Sequence, residues 1–137
     1  MTKQEYLSQI AKLKHKIEKM QERIEEYRSL AQSPATAGMG ERVKGSPSGE
    51  APFVKWVYKI IELEKEIEKL QDELQTLQAK VITAIELLEN EDYKMLLVLR
   101  YVQCLTWDTI QARLNISEAT ARRWHKASLE KLTVDDG

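Results

Sequence analysis

Apolar residues near the start of the chain recur at Tyr6, Ile10, Leu13, Ile17, Met20, Ile24 and Tyr27, with gaps that alternate between four and three. The alternation returns at Trp56, Ile60, Leu63, Ile67, Leu70, Leu74, Leu77, Val81, Ala84 and Leu88. A helix turns about 100° per residue, so this spacing draws one narrow apolar seam along a helix. A helix lying on a globular core shows a broader, less regular stripe, and a seam this sustained predicts coiled-coil pairing. Between the seams, Pro34, Pro47, Pro52, Gly38, Gly40, Gly45 and Gly49 rule out a long helix. The expected organisation is therefore a coiled-coil helix over 1–31, a flexible linker over 32–52 and a second coiled-coil helix over 53–89.

Past Glu89 the heptad stops and shorter elements follow. Asn90 is suited to cap a helix whose first turn holds Glu91 and Asp92, both favoured at the positive helix end. That helix is expected to run to about Gln103. Thr106 then opens a short helix from Trp107 to Leu114. Asn115 tolerates the left-handed conformation that ends a helix, Ile116 plugs the corner, and Ser117 caps a last helix from Glu118 to Leu132. Two short helices around such a turn predict a helix-turn-helix over 90–132, with 133–137 as a tail. The expected fold is all-α: a long coiled-coil helical hairpin followed by this module.

The last helix sorts into two faces. Ala121, Trp124, Ser128 and Leu132, flanked by Leu129, are spaced to pack inward. Glu118, Ala119, Thr120, Arg122, Arg123 and Lys126 are the candidate DNA-facing residues. The N-terminal half of a recognition helix presents its side chains to base edges in the major groove. Arginine bonds guanine in bidentate fashion, and lysine or arginine neutralises phosphate. His125, beside Lys126, is expected on the exposed or phosphate-facing side.

The stretch Leu99-Arg100-Tyr101-Val102, Leu105-Thr106-Trp107, Ile110, Leu114-Asn115-Ile116-Ser117-Glu118, Thr120, Arg122-Arg123, His125-Lys126 and Leu129 to Leu132 resembles region 4 of sigma factors. The whole layout resembles small phage-encoded sigma-region-4-like regulators of the ArpU and RinA type, which control late genes. The resemblance implies a promoter-reading last helix, in which Glu118, Ala119, Arg122 and Arg123 match the positions that meet -35 DNA. It also implies RNA polymerase as a second partner and the bacterial host cytoplasm, on the nucleoid, as the location. Gln111 stands where such modules carry a small alanine, Asn115 where they carry glycine, and Trp124 at an aliphatic position.

Charge qualifies this picture. The chain has 21 Lys+Arg and 22 Asp+Glu, a formal net charge of -1. Residues 1–31 carry 7 basic and 5 acidic side chains, and residues 53–89 carry 5 and 8. Lys14, Lys16, Arg23 and Arg28 flank the first seam, whereas Glu64, Glu66 and Glu73 flank the second, which favours pairing one helix with the other. Two such hairpins joined as a dimer would make a four-helix bundle. Residues 90–137 carry 7 basic and 7 acidic side chains. A module so balanced gains little from counterion release and needs dimerisation, or a partner already on DNA, for useful occupancy.

An enzyme is not expected. No Gly-rich phosphate loop, Gly-x-Ser-x-Gly or His-Glu-x-x-His occurs. A single cysteine and two distant histidines make no structural zinc site, and no cofactor is implied. Cys104 reads as a small hydrophobe rather than a nucleophile, and His15 as an outer position of the first helix. The longest apolar run, Met95 to Leu99, is far below a membrane span, and no secretory leader is recognised. Two further readings fit the layout: a small-terminase-like DNA-packaging recognition protein, favoured by ring-like assembly, and a coiled-coil adaptor that binds protein only. In limited proteolysis, the first cuts are expected between Gly38 and Gly49, ahead of any cut within the two long helices. Protection of that stretch in the free protein would overturn the tether reading.

Overall fold

The computed structural model describes residues 1–32 and 53–134, and all of its regular elements are helices. They are α1 (Lys3–Gln32), α2 (Val54–Glu86), α3 (Glu91–Leu97), α4 (Trp107–Leu114) and α5 (Glu118–Lys131). The expected linker over 32–52 lies, but for Gln32, outside the described residues, as does the tail from 135 onward. No helix among the described residues is long and apolar enough to cross a membrane.

The chain divides into two compact units that cut across the long helices: residues 1–14 with 73–137, and residues 15–72. In the second unit the segments of α1 and α2 run in opposite directions. Tyr27 stacks on Trp56 with ring centroids 5.4 Å apart, and Ile24 shares a groove with Ile67. Ile17, Ile24, Ile60, Ile67 and Leu70 are buried here, while Met20 and Leu63 of the same seam are half-buried. A lone pair of helices covers each seam from one side only, so alternate positions keep part of their surface in water. The ion pairs found, such as Lys19–Glu22 and Arg28–Glu25, each join two residues of one helix. The acidic and basic flanks therefore meet in no inter-helix ion pair among the described residues, and the charge-matching argument for helix pairing is not realised as salt bridges.

The first unit holds the larger core. Tyr6, Leu7 and Ile10 of α1 are buried with Val81, Ile85 and Leu88 from the end of α2, Leu96 and Leu97 of α3, Tyr101 and Leu132. Leu13, Leu74 and Leu77 from the predicted seams are half-buried in this unit. Leu7 and Ile85 lie off the heptad yet are essentially inaccessible. They are buried because these ends of α1 and α2 face the short helices as well as each other, which widens the apolar stripe. Helix α2 stops at Glu86 rather than 89, closed by bonds from the Leu87 and Leu88 amides to the Ala84 and Ile85 carbonyls.

The caps read from the sequence are present. The Asn90 side chain accepts from the Asp92 and Tyr93 amides, and the Thr106 hydroxyl accepts from the Thr109 amide. The helix begun by α3 continues to Val102 through a widened π turn, in which the Gln103 amide bonds the Val98 carbonyl at 2.9 Å. Cys104 then takes φ 59°, a left-handed turn that redirects the chain toward Thr106. Its side chain is half-buried against the core. Two lysines of α1 reach freed carbonyls of this unit. Lys14 Nζ donates to Val102 O at 2.7 Å, and Lys3 Nζ donates to Leu129 O at 2.9 Å. Cations at helix C-termini are stabilising, so Lys14 serves as a cap instead of facing an acidic flank.

Leu70→Lys puts an unpaired charge at a site only 4% exposed. A loss of roughly 2–5 kcal/mol is expected from the vacated leucine alone, with the buried charge adding to it. Chemical denaturation followed by circular dichroism measures it; an unchanged midpoint would show that Leu70 lies outside a packed seam.

Candidate nucleic-acid interface

Helices α4 and α5 are joined by two residues and a cap. Asn115 adopts φ 55°, ψ 51°, the left-handed conformation expected of it, and the Ile116 amide bonds the Gln111 carbonyl at 3.1 Å. The Ser117 side chain accepts from the Thr120 amide and so starts α5. Ile110 on α4 and Ala121, Ser128 and Leu132 around α5 are buried, Leu132 in the core shared with α1, α2 and α3. Gln111 is half-buried at this junction.

The opposite side of α5 is open to solvent. Glu118, Ala119, Arg122, Arg123 and Lys126 are exposed, and Thr120 is half-buried. Five of the six thus share the exposed side of one helix, most of them in its first two turns, and Thr120 lies at its edge. Neither arginine extends freely into water. Arg122 pairs with Glu118 Oε1 at 2.9 Å, and Arg123 donates to the Thr120 hydroxyl at 3.1 Å. The Glu118–Arg122 side chains are 74% and 76% exposed, so the pair is worth at most a small fraction of the module's stability and yields easily to a competing anion. Glu118 also offsets part of the positive charge just where an anion would approach.

Behind this face lies a stack of aromatic and cationic groups. The Arg100 guanidinium sits 4.8 Å over the Trp107 ring and donates to Leu105 O at 2.9 Å. Trp107 meets His125 edge-on at 4.7 Å, and His125 in turn stacks on Tyr101. A 2.6 Å hydrogen bond joins the Tyr101 hydroxyl to His125 Nε2. Burial lowers the His125 pKa below its ordinary value of 6.5, and the nearby Arg100 charge lowers it further. Burial pushes the Tyr101 pKa up to about 12, against the opposing pull of Arg100. A neutral imidazole beside a hydroxyl that keeps its proton allows Tyr101 to donate to Nε2. His125 is therefore a half-buried structural residue, which corrects its expected place on the outer, phosphate-facing side. Its inward position has a signal in the sequence, since Ala121, His125, Ser128 and Leu132 follow at gaps of four, three and four. Trp124, one residue earlier, is half-buried against the same core.

Residues 42–133 match the family described as "Protein of unknown function (DUF1492)". The chain belongs to this family. The DUF1492 match takes in α2 to α5 and leaves out α1. No curated protein and no solved structure is significantly similar to the chain. Sequence reasoning missed Lys3 and Lys14, which lie outside the DUF1492 match but hold carbonyls within it. It also missed Arg100 as the base of the aromatic stack. Nothing in their local patterns marks these three, because each acts on a backbone or ring distant in the pattern.

The depressed His125 pKa makes stability depend on pH with a definite sign. The unfolded chain takes up this proton near the ordinary value, and the folded chain resists it. Stability linked to His125 is therefore complete above about pH 6.5 and is lost as pH falls through the lower folded pKa. The melting temperature is expected to decline as pH falls below about 6.5, and His125→Asn should flatten that part of the profile. An equal decline in both proteins would show that His125 is not the group responsible.

Proposed function

We propose that the chain is a DNA-binding transcription regulator whose α4–turn–α5 pair acts as a helix-turn-helix of the sigma region 4 type. The observation that carries this reading is the left-handed turn at Asn115 between two capped helices, which leaves the basic face of α5 exposed. Such a pair lays the first helix across the backbone and the second in the major groove. On this reading Arg122 and Arg123 exchange their same-helix partners for base edges and phosphates, and Lys126 adds a phosphate contact. Glu118, freed from Arg122, can accept from a cytosine amino group. Ala119 and Thr120 line the approach, where a small side chain lets the helix sit close to the bases.

The long helices form the coiled-coil hairpin of this reading and support a dimer. Two copies double the phosphate contacts of a module that is electrically balanced by itself. RNA polymerase is the second partner, and activation of phage late genes is the biological role that the sigma resemblance suggests. The small-terminase-like and protein-adaptor readings remain as the alternatives that the binding experiment decides between.

Arg122 and Arg123 are about 100° apart on the helix, so they reach different targets. Arg122→Ala is expected to cost about 1–3 kcal/mol of binding and to relax sequence preference. Arg123→Ala is expected to weaken all sequences alike and to lower the salt slope by about one. Fluorescence anisotropy on DNA selected from a random pool and on scrambled DNA, across a range of salt, separates the two. Folded variants that both bind like the parent would remove the groove-reading role and favour the adaptor.

A further inference from the structure

The first turn of α1 lies beside α5. Lys3 Nζ donates to Leu129 O at 2.9 Å and to Glu130 O at 3.3 Å, which ties this turn to the end of α5. The turn is also closed on itself. The Glu5 amide donates to the Thr2 hydroxyl at 3.1 Å, and the Thr2 amide donates to the Glu5 carboxylate at 3.4 Å, a reciprocal pair that fixes a helix start. The Tyr6 amide bonds Thr2 O, so these backbone donors are used locally. The Gln4 side chain is not. It is exposed and makes no hydrogen bond among the described residues. It lines an open cleft of about 480 Å³ together with Asp108 and Gln111 of α4 and Glu118, Arg122 and His125 of α5. Glu118, Arg122 and His125 follow at gaps of four and three, so the cleft runs along one flank of α5. Glu118 and Arg122 belong at once to this flank and to the exposed face.

We infer that the start of α1 belongs to the DNA-binding surface, and that the Gln4 side-chain amide donates to a backbone phosphate beside the groove that α5 reads. The inference rests on the helix-turn-helix reading above and deepens it. Groove width carries the argument. An α-helix with its side chains is about 10–12 Å across, and the major groove of B-DNA is about 12 Å wide. A helix that reads base edges therefore fills the groove from wall to wall. Anything packed against its flank meets the sugar-phosphate strand at the groove's edge. The first turn of α1 is such an element, on the flank that Glu118 and Arg122 share with the reading face. In the cleft, the carboxylates of Asp108 and Glu118 stand against the one guanidinium of Arg122. They keep a phosphate out of its depth and leave the strand on the rim, where Gln4 is exposed and Gln111 is half-buried. An uncharged amide donor there adds a hydrogen bond without the counterion release that lysine or arginine brings.

Fluorescence anisotropy on the full chain, with selected and scrambled DNA across a range of salt, tests it through Gln4→Ala and Gln4→Lys. Gln75→Lys, at an exposed glutamine of α2, is the control. Positions 4 and 75 are both exposed, so circular dichroism should show unchanged helicity in all three variants. Gln4→Ala should weaken binding about three- to tenfold on both DNAs with the salt slope unchanged, as the loss of an uncharged donor requires. Gln4→Lys should tighten binding and steepen the salt slope by about one, because it neutralises a phosphate. A helix start merely loosened by substitution gives no such gain. Gln75→Lys adds the same charge elsewhere and should leave the slope as it is. The inference fails if Gln4→Ala binds like the parent, or if Gln4→Lys moves the slope no more than Gln75→Lys does. A loss confined to the selected DNA would mean a base contact instead, and overturns it equally. In each of these cases the reading of α5 stands. A parent that binds no DNA removes that reading itself, and this contact with it.

Discussion

The burial of Leu7 and Ile10, side chains from the first turns of α1, is the constraint on which the C-terminal unit rests. Both are essentially inaccessible to solvent, packed with Val81, Ile85, Leu96, Leu97 and Leu132. Helices α3, α4 and α5 are 7, 8 and 14 residues long, too short to be stable alone in water. They persist because their apolar faces close on a common core that α1 and the end of α2 complete. Full burial of each such side chain contributes about 1.5–3 kcal/mol, comparable to several caps together. The lysines of α1 extend the dependence to polar groups, since Lys14 and Lys3 donate to Val102 O and Leu129 O near helix ends.

On that base the aromatic stack sets how α5 is presented. Arg100, Trp107, His125 and Tyr101 come from the π turn, α4 and α5, so one chain of contacts pins three segments. The neutral state of His125 suits it to this place, because a charged imidazole beside the Arg100 guanidinium would be repelled as well as desolvated. The outer face of α5 is left to Arg122 and Arg123, each already held by a neighbour one turn back. A ligand of this face has to displace these neighbours, and at the exposed Glu118–Arg122 pair that costs little.

The helices and their ends were legible in the sequence to a large degree. Asn90, Thr106, Asn115 and Ser117 act through their own backbone neighbours, so local chemistry was enough to place them. The heptad likewise marked Ile17, Ile24, Ile67 and Leu70 as buried. It failed at Leu7 and Ile85, where a third and fourth element join the contact and the stripe widens beyond a two-helix seam. His125 was misread because its neighbour Lys126 suggested an exposed face, while the partner that buries it, Tyr101, lies 24 residues earlier. The charged flanks of the long helices suggested inter-helix pairs, yet the shorter reach within a helix won, as it usually does for exposed side chains.

The hydrogen bond from Lys3 to Leu129 spans 126 residues of chain. Contacts of this separation delay folding, since the loop must close before the contact offsets its entropy. A ribosome releases α1 long before α5 exists, so the apolar face of α1 waits in the nascent chain for a partner made much later. Antiparallel pairing with α2 offers an earlier, partial shelter, because its seam is complete once residue 88 has emerged. The unit that carries the candidate interface thus completes itself only after both long helices have been made, and its assembly is paced by translation.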